Sequence, residues 1–429
     1  MRLVYNTALL PLGAAAVVWG AWPRTSATAR LERDQRLGRR LPSVPSGAVW
    51  LHGASVGEAR LVASIARAWR SRAPRLPLVV SAVTPAGRAV LPAPPDADAS
   101  FFLPLDFAAV QRRAFDAIRP TLVVLLETEL WPNLLWEGQQ RGIPVALVNA
   151  RLAPERWRRY RRLRSLYGPL VRSLAAVLCA SATEAERFAG LGALPARLSV
   201  TGNLKYDLPA PDTDAGTLSA RFGLDPGRSV VVAGSTGAGE DTILLDALVA
   251  ARREIADLFL VLAPRHLERA AEAASDATRR GLRVHRLSSG ADRDAGGADV
   301  LVADRIGELS GLYALGAGSF VGGSLVPVGG HNLLEPIAAG SPPLFGPHTG
   351  HVAEIAEALL AAGAAERVGD GGALARAWIR LAREPDERAK RVRAGRKFLD
   401  ANRGALDRTL SALSALLDPA PRGRAAVSP

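Results

Sequence analysis

Between residues 48 and 345 short apolar runs alternate with amphipathic ones. The runs Ala48–Leu51, Leu78–Ser81, Leu122–Leu126, Val145–Val148 and Ala176–Cys179 are nearly continuous in apolar residues, as strands covered on both faces are. Between them lie helical patterns, such as Glu58–Arg70, Val110–Ile118 and Thr183–Leu191. The alternation then stops over residues 209–227, a stretch rich in Pro, Asp and Gly that reads as a linker. It resumes with strands at Ser229–Ala233, Leu258–Ala263, Val300–Val302, Ser319–Val321 and Pro343–Phe345. A βαβα rhythm of this kind predicts an α/β fold with two doubly wound, Rossmann-like parallel-sheet domains. The expected division is an apolar segment 1–22, a first domain 23–208, the linker, a second domain 228–418 and a loose tail 419–429. In such sheets ligands bind at the carboxyl ends of strands, and the unusual residues of this chain stand in those loops.

The apolar segment changes the picture. Residues 3–22 carry no charged side chain, and about 20 helical residues span about 30 Å, the thickness of a bilayer core. Arg24, Arg30, Arg33, Arg36, Arg39 and Arg40 follow at once, so the positive-inside rule leaves the body of the protein in the cytoplasm. Two other readings are open: a cleaved signal peptide, opposed by charge lying after the apolar run, and a helix lying in the interface or docked on protein. Because the βα alternation begins only later, the segment is expected to contribute membrane residence more than core. Lys and Arg give the chain a formal net charge of +13, which suits an anionic partner without selecting one. The single cysteine, Cys179, excludes an intrachain disulfide and a thiolate zinc cluster.

In the first half, the strand ending near Leu51 leads into His52-Gly53-Ala54-Ser55-Val56-Gly57-Glu58. Ser55 and Glu58 have the spacing of a capping box. Glu58 also stands where a general base for an attacking hydroxyl would stand, with small neighbours Ser55 and Gly57 leaving room for an acceptor. The next informative loop, Glu127-Thr128-Glu129-Leu130-Trp131-Pro132-Asn133, places two carboxylates at the end of a buried strand. A third loop contains Arg151 and precedes a basic run, Arg156 to Arg172, in which Arg159 and Arg162 are interleaved with Trp157, Tyr160 and Tyr167. That run suits a solvated helix face, a nucleic acid or a phosphorylated lipid head group; the apolar segment favours the last.

In the second half, Gly234-Ser235-Thr236-Gly237-Ala238-Gly239-Glu240 links a strand to a helix and offers backbone N–H groups to a phosphate, without the lysine of a Walker loop. Arg265 and His266 close the following strand, and Gly307-Glu308 opens a further helix. The densest stretch is Gly322 to Pro336, in which Gly329, Gly330, His331 and Asn332 precede a helix bearing Glu335, placed to accept hydrogen bonds from ribose hydroxyls.

Taken in order, these segments resemble the Kdo transferases of lipopolysaccharide synthesis. Further matching stretches are Thr84–Gly87, Pro104-Leu105-Asp106, Gly202–Asp207 and Phe345-Gly346-Pro347. The resemblance implies a GT-B fold with a cleft between two Rossmann-like domains, an acceptor-binding one and a donor-binding one. It implies transfer of Kdo from CMP-Kdo to a hydroxyl of a lipid A precursor, with inversion, no bound metal or other cofactor, and no nucleic-acid partner. It places the protein on the cytoplasmic face of the cell inner membrane, in contact with its lipids and held by a single N-terminal anchor. Glu58 then matches the proposed base, with Glu129 and Arg265 near the reaction centre. Ser235, Thr236, His266, Gly307, Glu308, Gly329, Gly330, His331, Asn332 and Glu335 fall to the donor, and Ser55, Gly57, Glu127, Arg151, Arg159 and Arg162 to the acceptor. The chain departs from the family at Gly237, where members often carry His, and at Gly350-His351, where they often show Asn-Phe. A GT-B enzyme using another nucleotide sugar, such as a UDP-sugar, is the alternative.

Overall fold

A computed structural model describes residues 1–12, 26–207, 211 and 213–417. The chain divides into two compact units, Met1–Asp207 together with the chain from Arg403, and Leu208–Asn402.

The first unit contains β1 Val49–His52, β2 Leu78–Ala82, β3 Ala99–Phe102, β4 Leu122–Leu126, β5 Val145–Ala150, β6 Ala176–Cys179 and β7 Leu198–Val200. All are parallel, in the order β3-β2-β1-β4-β5-β6-β7. Alternate strand residues enter two cores, one on each face: Trp50, Val123 and Leu147 on one side, Leu51, Val124 and Val148 on the other. Burial of both faces is why these strands read as continuous apolar runs.

The second unit repeats the plan with β8 Val230–Thr236, β9 Phe259–Pro264, β10 Val284–Arg286, β11 Val300–Val302, β12 Ser319–Val321, β13 Pro343–Phe345 and β14 Glu366–Arg367. Its order is β10-β11-β9-β8-β12-β13-β14, again parallel throughout. In each sheet the strand order reverses next to the first strand, so β4 lies beside β1 and β12 beside β8. Crevices for ligands form at such switch points.

The structure redraws the boundaries read from the sequence. Residues 215–221 of the expected linker form a helix, and Leu218, Phe222 and Leu224 are buried in a core of the second unit. The helix Ala405–Leu417, expected in the second domain, instead buries Leu410 and Leu413 against the first sheet. Asp207 draws it back, its carboxylate accepting the backbone N–H groups of Gly404 at 2.7 Å and Leu406 at 2.6 Å. Local periodicity identifies an amphipathic helix but not the sheet that will cover it.

The N-terminal segment also differs from a pure membrane element. Among the described residues no helix is long and apolar enough to cross a membrane. The expected anchor 1–22 lies partly outside the described residues. Its first part is a helix, Arg2–Ala8, that meets the first unit through its polar side chains. Tyr5 donates to Asp106 at 3.0 Å, Asn6 exchanges amide hydrogen bonds with Asn133, and Arg2 lies 3.7 Å from Glu137. Leu3, Val4, Leu10 and Leu12 remain exposed.

Candidate active site

Pairing of β1 with β4 brings together two loops that are about 70 residues apart in the chain. The helix Val56–Arg72 begins on a variant of the capping box, in which Glu58 reaches past the N-cap Ser55 to the N–H of Ala54. Ser55 Oγ accepts from Glu58 N at 3.3 Å, while the Glu58 carboxylate accepts from Ala54 N at 2.8 Å and from the Ser55 hydroxyl at 3.0 Å. These bonds favour the ionised carboxylate, yet burial and the nearby Glu127 and Glu129 outweigh them. They hold Glu58 at a pKa of about 7. A carboxyl so poised changes ionisation near neutral pH, as a general base or acid requires. The capping and catalytic readings of Glu58 are therefore compatible.

Each neighbouring carboxylate has its own support. Glu129 accepts from the indole N–H of Trp131 at 2.8 Å and lies 3.7 Å from His52 Nε2. His52 is fully buried at the end of β1, and its Nδ1 is 2.9 Å from Ser81 Oγ. Glu127 has a left-handed backbone, φ 53°, and its carboxylate pairs with Lys205 at 3.2 Å. Lys205 is delivered by Asn149, also left-handed, whose side-chain oxygen accepts from Leu204 N at 3.0 Å. Arg151 belongs to the same surroundings, its carbonyl accepting the Thr128 hydroxyl at 2.7 Å.

The basic run forms two helices, Pro154–Arg162 and Arg164–Ser173. Arg159 and Arg162 are exposed, whereas Tyr160 is buried and packs against Tyr167 with centroids 4.3 Å apart and the rings tilted by 48°. Burial raises the Tyr160 phenol pKa against the pull of the neighbouring Arg156 and Arg159. Ser55 and Gly57 are exposed at the same helix start.

In the second unit, β8 and β12 set their following loops side by side. The pin is Glu240, fully buried. Its carboxylate accepts four backbone N–H groups, from Gly237 and Gly323 at 2.7 Å and from Ser324 and Leu325 at 2.9 Å. Gly329 and Gly330 both donate to the carbonyl of Gly323, folding the glycine loop back on itself. Asn332 precedes the N-cap Leu333 of the helix Leu334–Ala338; its side-chain oxygen accepts from Leu334 N at 3.1 Å, and its amide donates to Glu335 at 3.1 Å. His331 is partly buried, and burial together with the positive Arg265 lowers its pKa, favouring the neutral ring. At the departure Gly350-His351, the His351 ring lies where a Cβ on Gly329 would stand 2.7 Å from Nδ1. Arg265 and His266 follow β9, with Arg265 N held by the Thr236 carbonyl at 3.0 Å. Ser235 adopts φ 55° at the end of β8.

Two of the residues expected at the donor have side-chain partners within the unit. Thr236 is fully buried and its hydroxyl is spent on Asp241, which in turn pairs with Arg269 at 2.6 Å. Glu308, after Gly307, is gripped by both terminal nitrogens of Arg221, at 2.8 and 3.0 Å. The reading from sequence missed the Glu240 pin, the Lys205–Glu127 pair and the buried His52. All three lie inside motif segments, but their roles depend on strands that are distant in the chain.

A curated 3-deoxy-D-manno-octulosonic acid transferase of Bordetella pertussis is 33% identical over 433 residues, covering 96% of this chain and 98% of that protein. The chain belongs to the 3-deoxy-D-manno-octulosonic acid (Kdo) transferase family. The family profile described as "3-Deoxy-D-manno-octulosonic-acid transferase (kdotransferase)" matches residues 30–208. A second Kdo transferase, from Haemophilus influenzae, is 33% identical across 87% of this chain and 88% of its own length. Among solved structures, UDP-GlcNAc 2-epimerase of Neisseria meningitidis bound to UDP-GlcNAc aligns over 86% of this chain and 99% of its own, with a TM-score of 0.58 at 12% identity. The last likeness concerns the fold of two parallel-sheet α/β domains. Kinship with Kdo transferases runs through both units and so includes the Glu58 loop and the Gly322–Pro336 loop.

Proposed function

We propose that this protein is an inverting glycosyltransferase of GT-B type that moves Kdo from CMP-Kdo to a hydroxyl of a lipid A precursor in lipopolysaccharide core synthesis. The full-length likeness to Kdo transferases supports the substrates, and the position of Glu58 among carboxylates carries the chemistry. The acceptor hydroxyl oxygen attacks the anomeric carbon while the Glu58 carboxylate takes its proton. The bond from that carbon to the CMP phosphate oxygen breaks, and CMP leaves with the electron pair. Attack opposite the leaving group inverts the centre.

The second unit serves the donor. Arg265 offsets the charge growing on the departing phosphate. Asn332 orients Glu335 for the ribose hydroxyls, and the loops bearing Ser235, His266, Gly307, Gly329, Gly330 and His331 surround the nucleotide. The first unit serves the acceptor through Ser55, Gly57, Glu127, Arg151, Arg159 and Arg162, with Glu129 beside the base. Exposed arginines favour a phosphorylated, anionic lipid. The exposed Leu3, Val4, Leu10 and Leu12 offer apolar side chains suited to the cytoplasmic face of the inner membrane.

The test is mass spectrometry of a tetraacylated lipid A precursor incubated with the purified protein and CMP-Kdo, with UDP-sugars in parallel. A mass increase of one or more Kdo residues with CMP-Kdo alone is expected. Transfer only from a UDP-sugar, or no transfer, overturns the proposal.

A further inference from the structure

The N-terminal helix joins, through two buried polar groups, the loop that carries Glu127 and Glu129. Asp106 is buried, and its carboxylate accepts from three groups: the Tyr5 hydroxyl, Asn133 N and Leu134 N, each at 3.0 Å. The Asn133 amide donates to the Asp106 carbonyl at 2.6 Å and to Asn6 Oδ1 at 3.0 Å, and its oxygen accepts from Asn6 Nδ2 at 3.1 Å. Asn133 is fully buried, and its side-chain partners are therefore Asp106 and Asn6. The ring of Tyr5 packs edge-on against Trp136, with centroids 5.7 Å apart.

Asn133 and Leu134 open the helix Pro132–Gln140, whose N-cap is Trp131. Trp131 in turn donates its indole N–H to Glu129. The chain of contact runs from Tyr5 and Asn6, through Asp106 and Asn133, to the helix start that aims Trp131 at Glu129. A segment needed only to hold the protein at a membrane has no use for a carboxylate buried behind it. Burying Asp106 is costly, and raises its pKa to about 7 against the pull of its three donors.

Resting on the transferase reading above, we propose that Tyr5 and Asn6 are positioning residues for the reaction, holding the Glu127–Asn133 loop in register through Asp106 and Asn133. The N-terminal helix is then part of the active enzyme as well as its membrane-facing element, so removing residues 1–12 lowers turnover even where no membrane is present.

The full-length protein is assayed with CMP-Kdo and detergent-dispersed acceptor, well below Tm, as wild type, Tyr5→Phe and Asn6→Ala. Tyr5→Phe keeps the ring on Trp136 and removes only the bond to Asp106. Both variants are expected to lose about 5- to 100-fold in kcat, a misplacement on the order of 1 Å being worth about 100-fold. Donor KM and flotation with anionic vesicles should stay unchanged. Wild-type kcat in both folded variants, or a loss matching only the unfolded fraction, overturns the proposal. Absence of transfer by the wild type overturns instead the functional reading on which it rests.

Discussion

His52 Nε2 stands 3.7 Å from Oε2 of Glu129, across the boundary between the neighbouring strands β1 and β4. The imidazole is fully buried, and its other nitrogen is committed to Ser81. This side of the carboxylate cluster is thus a fixed wall, while the carboxyl of Glu58, on the adjoining turn, is held at a pKa of about 7.

Glu58→Gln should reduce kcat by about 10²- to 10⁴-fold, the usual worth of a positioned base. Glutamine can still serve the cap, so at pH 5, where folded Glu58 is protonated, thermal stability should change by less than about 1 kcal/mol. Turnover and Tm measured on the same variant separate the two roles; near-normal kcat would move the base to Glu127 or Glu129.

The pH dependence follows with a definite sign. The folded-state pKa of Glu58, about 7, exceeds its ordinary 4.5, so between these values the folded protein binds the extra proton. Its contribution to stability therefore falls as pH rises from about 4.5 to about 7. The activity of a base runs the other way, and kcat/KM should fall as pH drops below about 7. Glu58→Gln should remove this group's share of the stability slope, which paired denaturation curves at pH 5 and pH 8 would reveal.

Glu240→Gln should weaken the second unit and its donor binding together. Replacing one carboxylate oxygen by an amide NH₂ sets a donor against two backbone N–H groups. An unsatisfied buried group costs about 1–3 kcal/mol, so a loss of roughly 2–5 kcal/mol is expected by denaturant titration. Calorimetry with CMP should show weaker binding. Unchanged CMP affinity would mean that the glycine loop does not hold the nucleotide.

Gly234→Ala tests the packing beneath that loop. A Cβ there would stand 2.1 Å from the Tyr313 hydroxyl and 2.7 Å from its Cζ. Overpacking of this kind costs about 1–3 kcal/mol or more. Adding Tyr313→Phe removes the nearer clash and should restore part of the loss, a coupling that a double-mutant cycle measures. Strict additivity would show that the added methyl group is accommodated by other movements.

Replacing Arg159 and Arg162 together by Ala should raise the acceptor KM more than the CMP-Kdo KM, and the wild-type acceptor KM should rise with salt because exposed contacts are screened. An unchanged acceptor KM assigns these arginines to a solvated face.

Much of this was legible in the amino-acid sequence because it depends on neighbours in the chain. Apolar runs such as Leu122–Leu126 must be buried strands, the spacing of Ser55 and Glu58 makes a cap, and clustered glycines before Asn332 and Glu335 make a tight loop ahead of a helix. These are properties of a few consecutive residues, and their physics is local. Tertiary structure decided what depends on which strands become neighbours. Only the adjacency of β1 and β4 puts Glu127 and Glu129 beside Glu58, and burial there together with these two carboxylates moves its pKa towards 7. The same dependence pairs Thr236 with Asp241 and Glu308 with Arg221. It also returned the helix Ala405–Leu417 to the first sheet and tied Tyr5 to Asp106. A polar side chain takes whichever partner the fold brings within about 3 Å, and spacing along the chain does not disclose that partner.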